Sequence, residues 1–349
     1  MKKFITVLLA LSMVVCMFAG CSGEAPSEST AATATTTETE SAAESATKTA
    51  AEANWPTGPV SIFVAAQAGS NLDIKARLVA KYLTNELGQS VVVENRNGAG
   101  GITACTQFLS EKPNSNSIQY FAAAYLCVAP IYNKIEYKSE DFIPVSGLDT
   151  VENGFFVSSK LGIKSLDGLK KYGQGRTVKF ASTGTGSDTF LLSKILMDEL
   201  GLQSDSINGN GFPDSLINVI SGNAEVCYCA LSTASQYVKD GSIIPLAVYS
   251  TDDYTGYADM GYPEVKSLKN QGYDIEYSTI TWFSLRAGTD AAAVEKLAGV
   301  LEKVYANPEF QAELTKAGFY MMEDTSTAAV SARVDKMITD CAGFAERIG

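Results

Sequence analysis

Apolar and polar positions along the chain switch repeatedly between a strand-like and a helix-like spacing. Val60-Ser61-Ile62-Phe63-Val64 is a short β-branched run, followed by a small-residue loop at Ala68-Gly69-Ser70. Ile74, Leu78, Tyr82 and Leu87 then recur at helical spacing until Gly88 stops the pattern. The order repeats: Val91-Val92-Val93 leads into Asn97-Gly98-Ala99-Gly100-Gly101, then a helical stretch ending before Pro113, and Ile118 to Ala124 reads as another strand. Strands alternating with helices predict a parallel sheet covered on both faces.

A second series starts near residue 153. Phe155-Phe156-Val157 reads as a strand, Ser165 to Lys171 as a short helix, and Thr177 to Ala181 as a strand. Gly184-Thr185-Gly186 opens a long helix through Leu191, Ile195, Leu196 and Leu200, closed by Gly201. A helix at 214–220, a strand at 225–229, a helix at 232–239 and a strand at 243–248 complete a second α/β unit. Residues 290–349 return to helical periodicity and are expected to pack back on the first sheet. Two α/β lobes joined by crossovers leave a cleft between them.

The N-terminus follows a different pattern. Lys2 and Lys3 precede an apolar run from Phe4 to Phe18 that ends in Ala19-Gly20-Cys21, the order of an export signal. The small pair before a cysteine resembles the lipobox of bacterial lipoproteins, with Phe18 where that pattern usually has Leu, Val or Ile. The resemblance makes residues 1–20 a signal peptide and Cys21 the acylated N-terminus; an ordinary secretory cut or a retained anchor helix is the alternative. Residues 21–54 are dominated by Ser, Thr, Ala and Glu, too poor in large apolar side chains to offset the entropy of ordering. They read as a disordered tether, extended by its own acidic charge.

Composition narrows the function. The chain has 349 residues and a formal charge of −12, so it lacks the basic face that nucleic acid requires. It contains no histidine, which excludes Ser-His-Asp and Cys-His nucleophiles, His-ligated metals and the usual general base near neutral pH. Cys105, Cys127, Cys227, Cys229 and Cys341 are an odd number and cannot pair completely, and Cys227 and Cys229 are too close along one strand for an ordinary bridge. Buried free thiols are expected, with no metal and no cofactor. No Walker-type loop, dinucleotide fingerprint or Gly-x-Ser-x-Gly elbow is present. A binding protein is favoured over an enzyme without histidine-based catalysis.

Two loops carry the candidate chemistry. Each joins a strand end to a helix start, so unpaired backbone N–H groups point outward beside a positive helix end, a place suited to carboxylates. In open α/β sheets ligands also sit at the carboxyl ends of strands. The first loop is Ala68-Gly69-Ser70-Asn71-Leu72-Asp73, where Ser70 and Asp73 have capping-box spacing with Asp in the Glu position. Helix capping alone would explain those two side chains and is compatible with backbone binding by the same loop. The second is Ser182-Thr183-Gly184-Thr185-Gly186-Ser187, in which the glycines allow close ligand approach. Tyr125 and Phe212 are candidate aromatic contacts; Phe190 and Trp282 are read as core.

Glu94-Asn95-Arg96-Asn97-Gly98-Ala99-Gly100-Gly101 resembles the E-N-R-P-G-A-G-G motif of the solute receptors of tripartite tricarboxylate transporters, the Bug proteins, with Asn97 replacing proline. Gly69 to Arg77 resembles the family's G-G-x-x-D-x-x-A-R, and Ala181 to Ser187 its S-x-G-x-G-S loop. Residues 221–225 and 241–247 also resemble family segments, so the likeness spans roughly residues 56–348.

The resemblance implies a type II periplasmic binding protein fold, with lobe one from residues 55–152 and 279–349 and lobe two from residues 153–278. It implies a monomeric extracytoplasmic receptor, lipid-anchored in the periplasm or at the cell surface, that hands a small carboxylated solute to integral membrane permease subunits. A type II receptor of an ATP-driven importer is the neighbouring alternative. The solute would be a di- or tricarboxylate, an amino acid or an aromatic acid. Members commonly grip a carboxylate with loop amides, hydroxyls and waters, and neither loop here carries Lys or Arg. Ala122-Ala123-Ala124 and Cys229-Ala230 stand where members often have polar residues, and Phe190 where many have His. On one reading Asp188, at the second helix start, merely complements the helix dipole; on the other, Asp188 or Asp73 faces the cleft and recognises a cationic group.

Overall fold

The computed structural model describes residues 54–209 and 211–348. The export signal, Cys21 and the tether up to residue 53 lie outside the described residues. Among the described residues, no helix is long and apolar enough to cross a membrane.

The first half of the chain runs β1 (Val60–Val64), α1 (Asn71–Leu87), β2 (Val91–Asn95), α2 (Ile102–Ser110), β3 (Ser117–Ala122), two single-turn helices α3 (Ala124–Cys127) and α4 (Ala129–Tyr132), and β4 (Phe142–Val151). The second runs β5 (Asn153–Ser158), α5 (Leu166–Gly173), β6 (Val178–Ser182), α6 (Asp188–Glu199), β7 (Ser204–Asn208), α7 (Phe212–Ser221), β8 (Val226–Ala230), α8 (Leu231–Lys239) and β9 (Ile243–Val248). The chain ends with β10 (Thr279–Arg286), α9 (Ala291–Ala306), α10 (Pro308–Lys316) and α11 (Thr327–Ile348).

The strands form two five-stranded sheets, ordered β2-β1-β3-β10-β4 and β7-β6-β8-β5-β9. Both are mixed, which corrects the expectation of parallel sheets. β10 runs antiparallel between β3 and β4, and β5 antiparallel between β8 and β9. The reversed strands are those by which the chain enters a sheet from the other one. It leaves the first sheet after Val151 and starts the second at Asn153, then returns at Thr279, which is paired with Val151.

Apolar side chains fill one core under α1, α9 and α10 and another in the second half around Phe156, Leu216 and Val219. A third, the largest, runs from Phe108, Phe121 and Trp282 of the first half to Phe155, Phe180 and Leu191 of the second. Helix α11 contributes Val334, Met337 and Cys341 to it and packs against α3, β4 and α6, so it joins the two halves. Each fully buried side chain of this kind stabilises by about 1.5–3 kcal/mol. All five cysteines of the folded part are free and buried.

The buried face of α1 is rotated from the one its apolar spacing suggests. Ile74 is 41% exposed, whereas Lys75 is buried with its ammonium 2.7 and 2.9 Å from the Asp149 carboxylate on β4. Thr281 also donates to Asp149, and the Lys75 ammonium lies 5.1 Å from the centre of the Phe319 ring. A buried lysine is tolerable because it is paired and hydrogen-bonded.

Candidate functional site

The loop after β1 is held from within. Ser70 caps α1, its Oγ accepting from the Asp73 N–H at 3.3 Å, and Asp73 returns the bond by accepting from the Gly69 N–H at 2.8 Å. Asp73 also accepts from Arg77 Nε at 3.0 Å and from Asn95 Nδ2 at 2.9 Å. Burial raises this carboxyl, and the bonds from Arg77, Gly69 and Asn95 outweigh it, holding Asp73 below the ordinary carboxylate range. Gly69 takes a left-handed φ of 82°. The N–H groups of Asn71 and Leu72, in the first helical turn, are the amides that α1 itself has no acceptor for. Ala68 is exposed at the loop tip.

The octapeptide after β2 supports this loop. Asn95 donates to the Ala66 carbonyl at 3.1 Å as well as to Asp73, and Glu94 pairs with Arg96. Gly101 has φ 103°, and a Cβ there would meet the Tyr125 ring at 2.2 Å. Glycine therefore lets α3 press against the turn. Tyr125 is buried, its hydroxyl donating to the Ala65 carbonyl at 2.9 Å, so the ring is locked beside the β1 end.

The loop after β6 is tied more tightly still. Ser182 Oγ donates to Asn208 Oδ1 at 2.7 Å, and the Thr183 N–H donates to Thr189 Oγ1 at 2.8 Å. Ser187 caps α6 by accepting from the Phe190 N–H at 3.2 Å and donates to the Gly184 carbonyl at 2.6 Å. These hydroxyls shape the loop, with Gly184 at φ 123°. The N–H groups of Thr185 and Gly186 have no acceptor among the described residues. They are offered at a helix N-terminus, where anions are favoured.

Asp188 opens α6 and has a different setting from Asp73. Its carboxylate accepts from the neighbouring Thr189 N–H at 2.8 Å and otherwise only from its own backbone amide, and no Lys or Arg pairs with it among the described residues. Burial pushes it up to about 6, its adjoining backbone amides only partly opposing that.

Each loop reaches residues of the other half of the chain. Asn71 Nδ2 donates to Thr233 Oγ1 of α8 at 3.2 Å, across the halves. A Cβ on Gly100 would lie 3.6 Å from the Gly186 carbonyl oxygen, and one on Gly186 would lie 2.6 Å from Asn133 Nδ2. Tyr132 of α4 packs edge-on against Phe190 of α6, with ring centres 5.5 Å apart. Phe212, the first residue of α7, lies 6.3 Å from Tyr228 of β8 by ring centres. Trp282 stacks on Phe121 inside the core. Asn133 and Thr233 were not singled out from the sequence, since isolated polar residues in no motif carry no signal of a partner distant in the chain.

A family model described as tripartite tricarboxylate transporter family receptor matches residues 75–340. The chain belongs to this receptor family. The receptor is 28% identical over 266 residues to a UPF0065 protein of Bordetella bronchiseptica, covering 76% of this chain and 78% of that protein. Periplasmic binding protein BugD has a TM-score of 0.73 at 23% identity, covering 84% of this chain and 99% of that one. MatC from Rhodopseudomonas palustris, solved with bound malate, has a TM-score of 0.73 at 19% identity, with 84% and 100% covered. At these identities the solved structures establish the type II periplasmic binding protein fold. Family membership makes the protein an extracytoplasmic solute receptor rather than an enzyme.

Proposed function

We propose that this receptor closes on a small carboxylate-bearing solute between the loop after β1 and the loop after β6, and delivers it to the permease subunits of a tripartite tricarboxylate-type transporter. The chain would work at the outer face of the bacterial membrane, anchored through a lipid on Cys21. One observation carries the reading: the unclaimed amides of Thr185 and Gly186 lie at the N-terminus of α6, on the seam that Asn71 of α1 also reaches. Hydrogen bonds to a charged group contribute about 1.5–3 kcal/mol each. Several of them support micromolar binding, which needs about −8 kcal/mol after ordering costs. The malate found in MatC is a solute of this chemical kind.

Gly184→Val tests the placement. A β-branched residue is strained at φ 123° although a Cβ there meets nothing within 4 Å, so the loop shifts without a clash in the core. Calorimetric titration with a panel of di- and tricarboxylates should show affinity lost by about 30-fold or more, the equivalent of one charge-assisted bond, with a cooperative melt retained. Unchanged affinity would refute the site.

A further inference from the structure

Asp188 is the one element of the seam that a receptor for plain carboxylates would be better without. An unpaired carboxylate beside a carboxylate-binding loop repels an anionic guest, and its own burial is unfavourable. Helix-dipole complementation accounts for an acidic residue in the first turn, but it does not call for one enclosed by protein. Asp188 is part-buried, and burial is what raises its carboxyl.

A second observation is independent of Asp188. The hydroxyls of Tyr228 on β8 and Tyr277, just before β10, are fully buried and have no hydrogen-bond partner. Buried phenols normally find a partner, so two orphans in one region mark a place for a missing polar group. Strand β8 lies beside β6, whose loop leads directly to Asp188, and Tyr228 packs against Phe212 at the start of α7. Burial raises both phenols, and the negative charge of Asp188 adds to that shift. One carboxylate and two phenol oxygens, all able to accept, with no cation among them, are a ligand set for a donor-rich positive group.

We infer that Asp188, with the hydroxyls of Tyr228 and Tyr277, forms an ammonium subsite, so that the solute is an amino carboxylate bound by its carboxylate at the loop amides and by its ammonium here. The inference rests on the receptor reading above and specifies its substrate class. The titratable groups whose acidity the Asp188 charge lowers are Tyr125 and Cys127 from α3, Tyr228 from β8 and Tyr277 from the segment before β10. Tyr125, Cys127, Tyr228 and Tyr277 all have their acidity suppressed by their surroundings. Asp188 is then the group among them that changes charge between pH 5 and 7, and the ammonium requires it ionised.

The test titrates the secreted folded chain with three matched pairs that differ by the ammonium: L-glutamate and glutarate, L-leucine and isocaproate, L-phenylalanine and hydrocinnamate. The amino member of at least one pair should bind about 30-fold or more tightly than its partner, as expected for a charge-assisted bond. Its affinity should fall roughly tenfold between pH 7 and pH 5, as Asp188 takes up a proton. Asp188→Asn, which keeps the bond from Thr189, should abolish the preference. Tyr228→Phe removes a hydroxyl that holds nothing in the fold, and should weaken the amino member alone. Tighter binding of the deaminated members, with Asp188→Asn neutral or improving, overturns the subsite and leaves the receptor reading standing. Failure of every pair to bind while a di- or tricarboxylate of the calorimetric panel binds overturns the subsite alone; failure of all of them overturns both readings.

Discussion

Asp73 and Asp188 occupy nearly the same kind of position: each lies in the first turn of a helix that follows a strand end, and each helix is capped by a serine. Their surroundings are opposite. Asp73 accepts from Arg77, Asn95 and the Gly69 amide and is held acidic; Asp188 accepts only from backbone amides at its own helix start and is pushed up to about 6. A carboxylate whose acceptor sites are filled by its own chain is part of the scaffold. One left with open acceptor sites on an interlobe seam is available to a guest. Helix-start position alone does not separate the two roles; the count and charge of the partners does.

The largest expected effect lies on the scaffold side. Asp73→Ala leaves the Gly69 amide and the Asn95 and Arg77 side chains without their acceptor and should destabilise the folded chain by about 2–3 kcal/mol, read from the midpoint of urea unfolding. Much of Arg77 is exposed, so its share of the ion pair is small. The Asp73 contribution is present above the ordinary aspartate range and lost as pH falls through its lowered value.

The smaller effect has the opposite sign. Because the folded-state value of Asp188 is raised, its contribution is complete below the unfolded value of 3.8 and is lost as pH rises through about 6. Asp188→Asn should therefore stabilise the ligand-free receptor at pH 7.5 by about 1–3 kcal/mol, and the gain should vanish towards pH 4. Equal effects of the two substitutions at neutral pH would erase the distinction between the loops.

Much of this arrangement was legible in the sequence, for physical reasons that also explain the gaps. β1, β6, β8 and β9 are compact apolar runs bounded by small or polar residues, and they stand where the pattern puts them. β7, Ser-Asp-Ser-Ile-Asn, is a polar edge strand with no hydrophobic period to detect. β4 contains Pro144 and Gly147, which read as breakers; register shifts in its pairing with β10 accommodate them. The mixed sheets were not legible because strand direction depends on where the chain crosses between lobes, a long-range property. The face of α1 was misjudged because Lys75 is buried only by virtue of Asp149, distant in the chain. The glycine-rich octapeptide was visible as a motif, but its physical role, making room for Tyr125 and anchoring Asp73 through Asn95, needed the packing around it.

Carbon NMR of the aspartate carboxyl groups in the ligand-free receptor, titrated from pH 3 to pH 8 and assigned with Asp73→Asn and Asp188→Asn, tests the contrast most directly. Asp73 should titrate below the usual aspartate range and Asp188 near 6, with the Asp188 transition moving downward when an amino carboxylate binds. Coincident titration of the two near 4, unmoved by any such solute, would contradict the account.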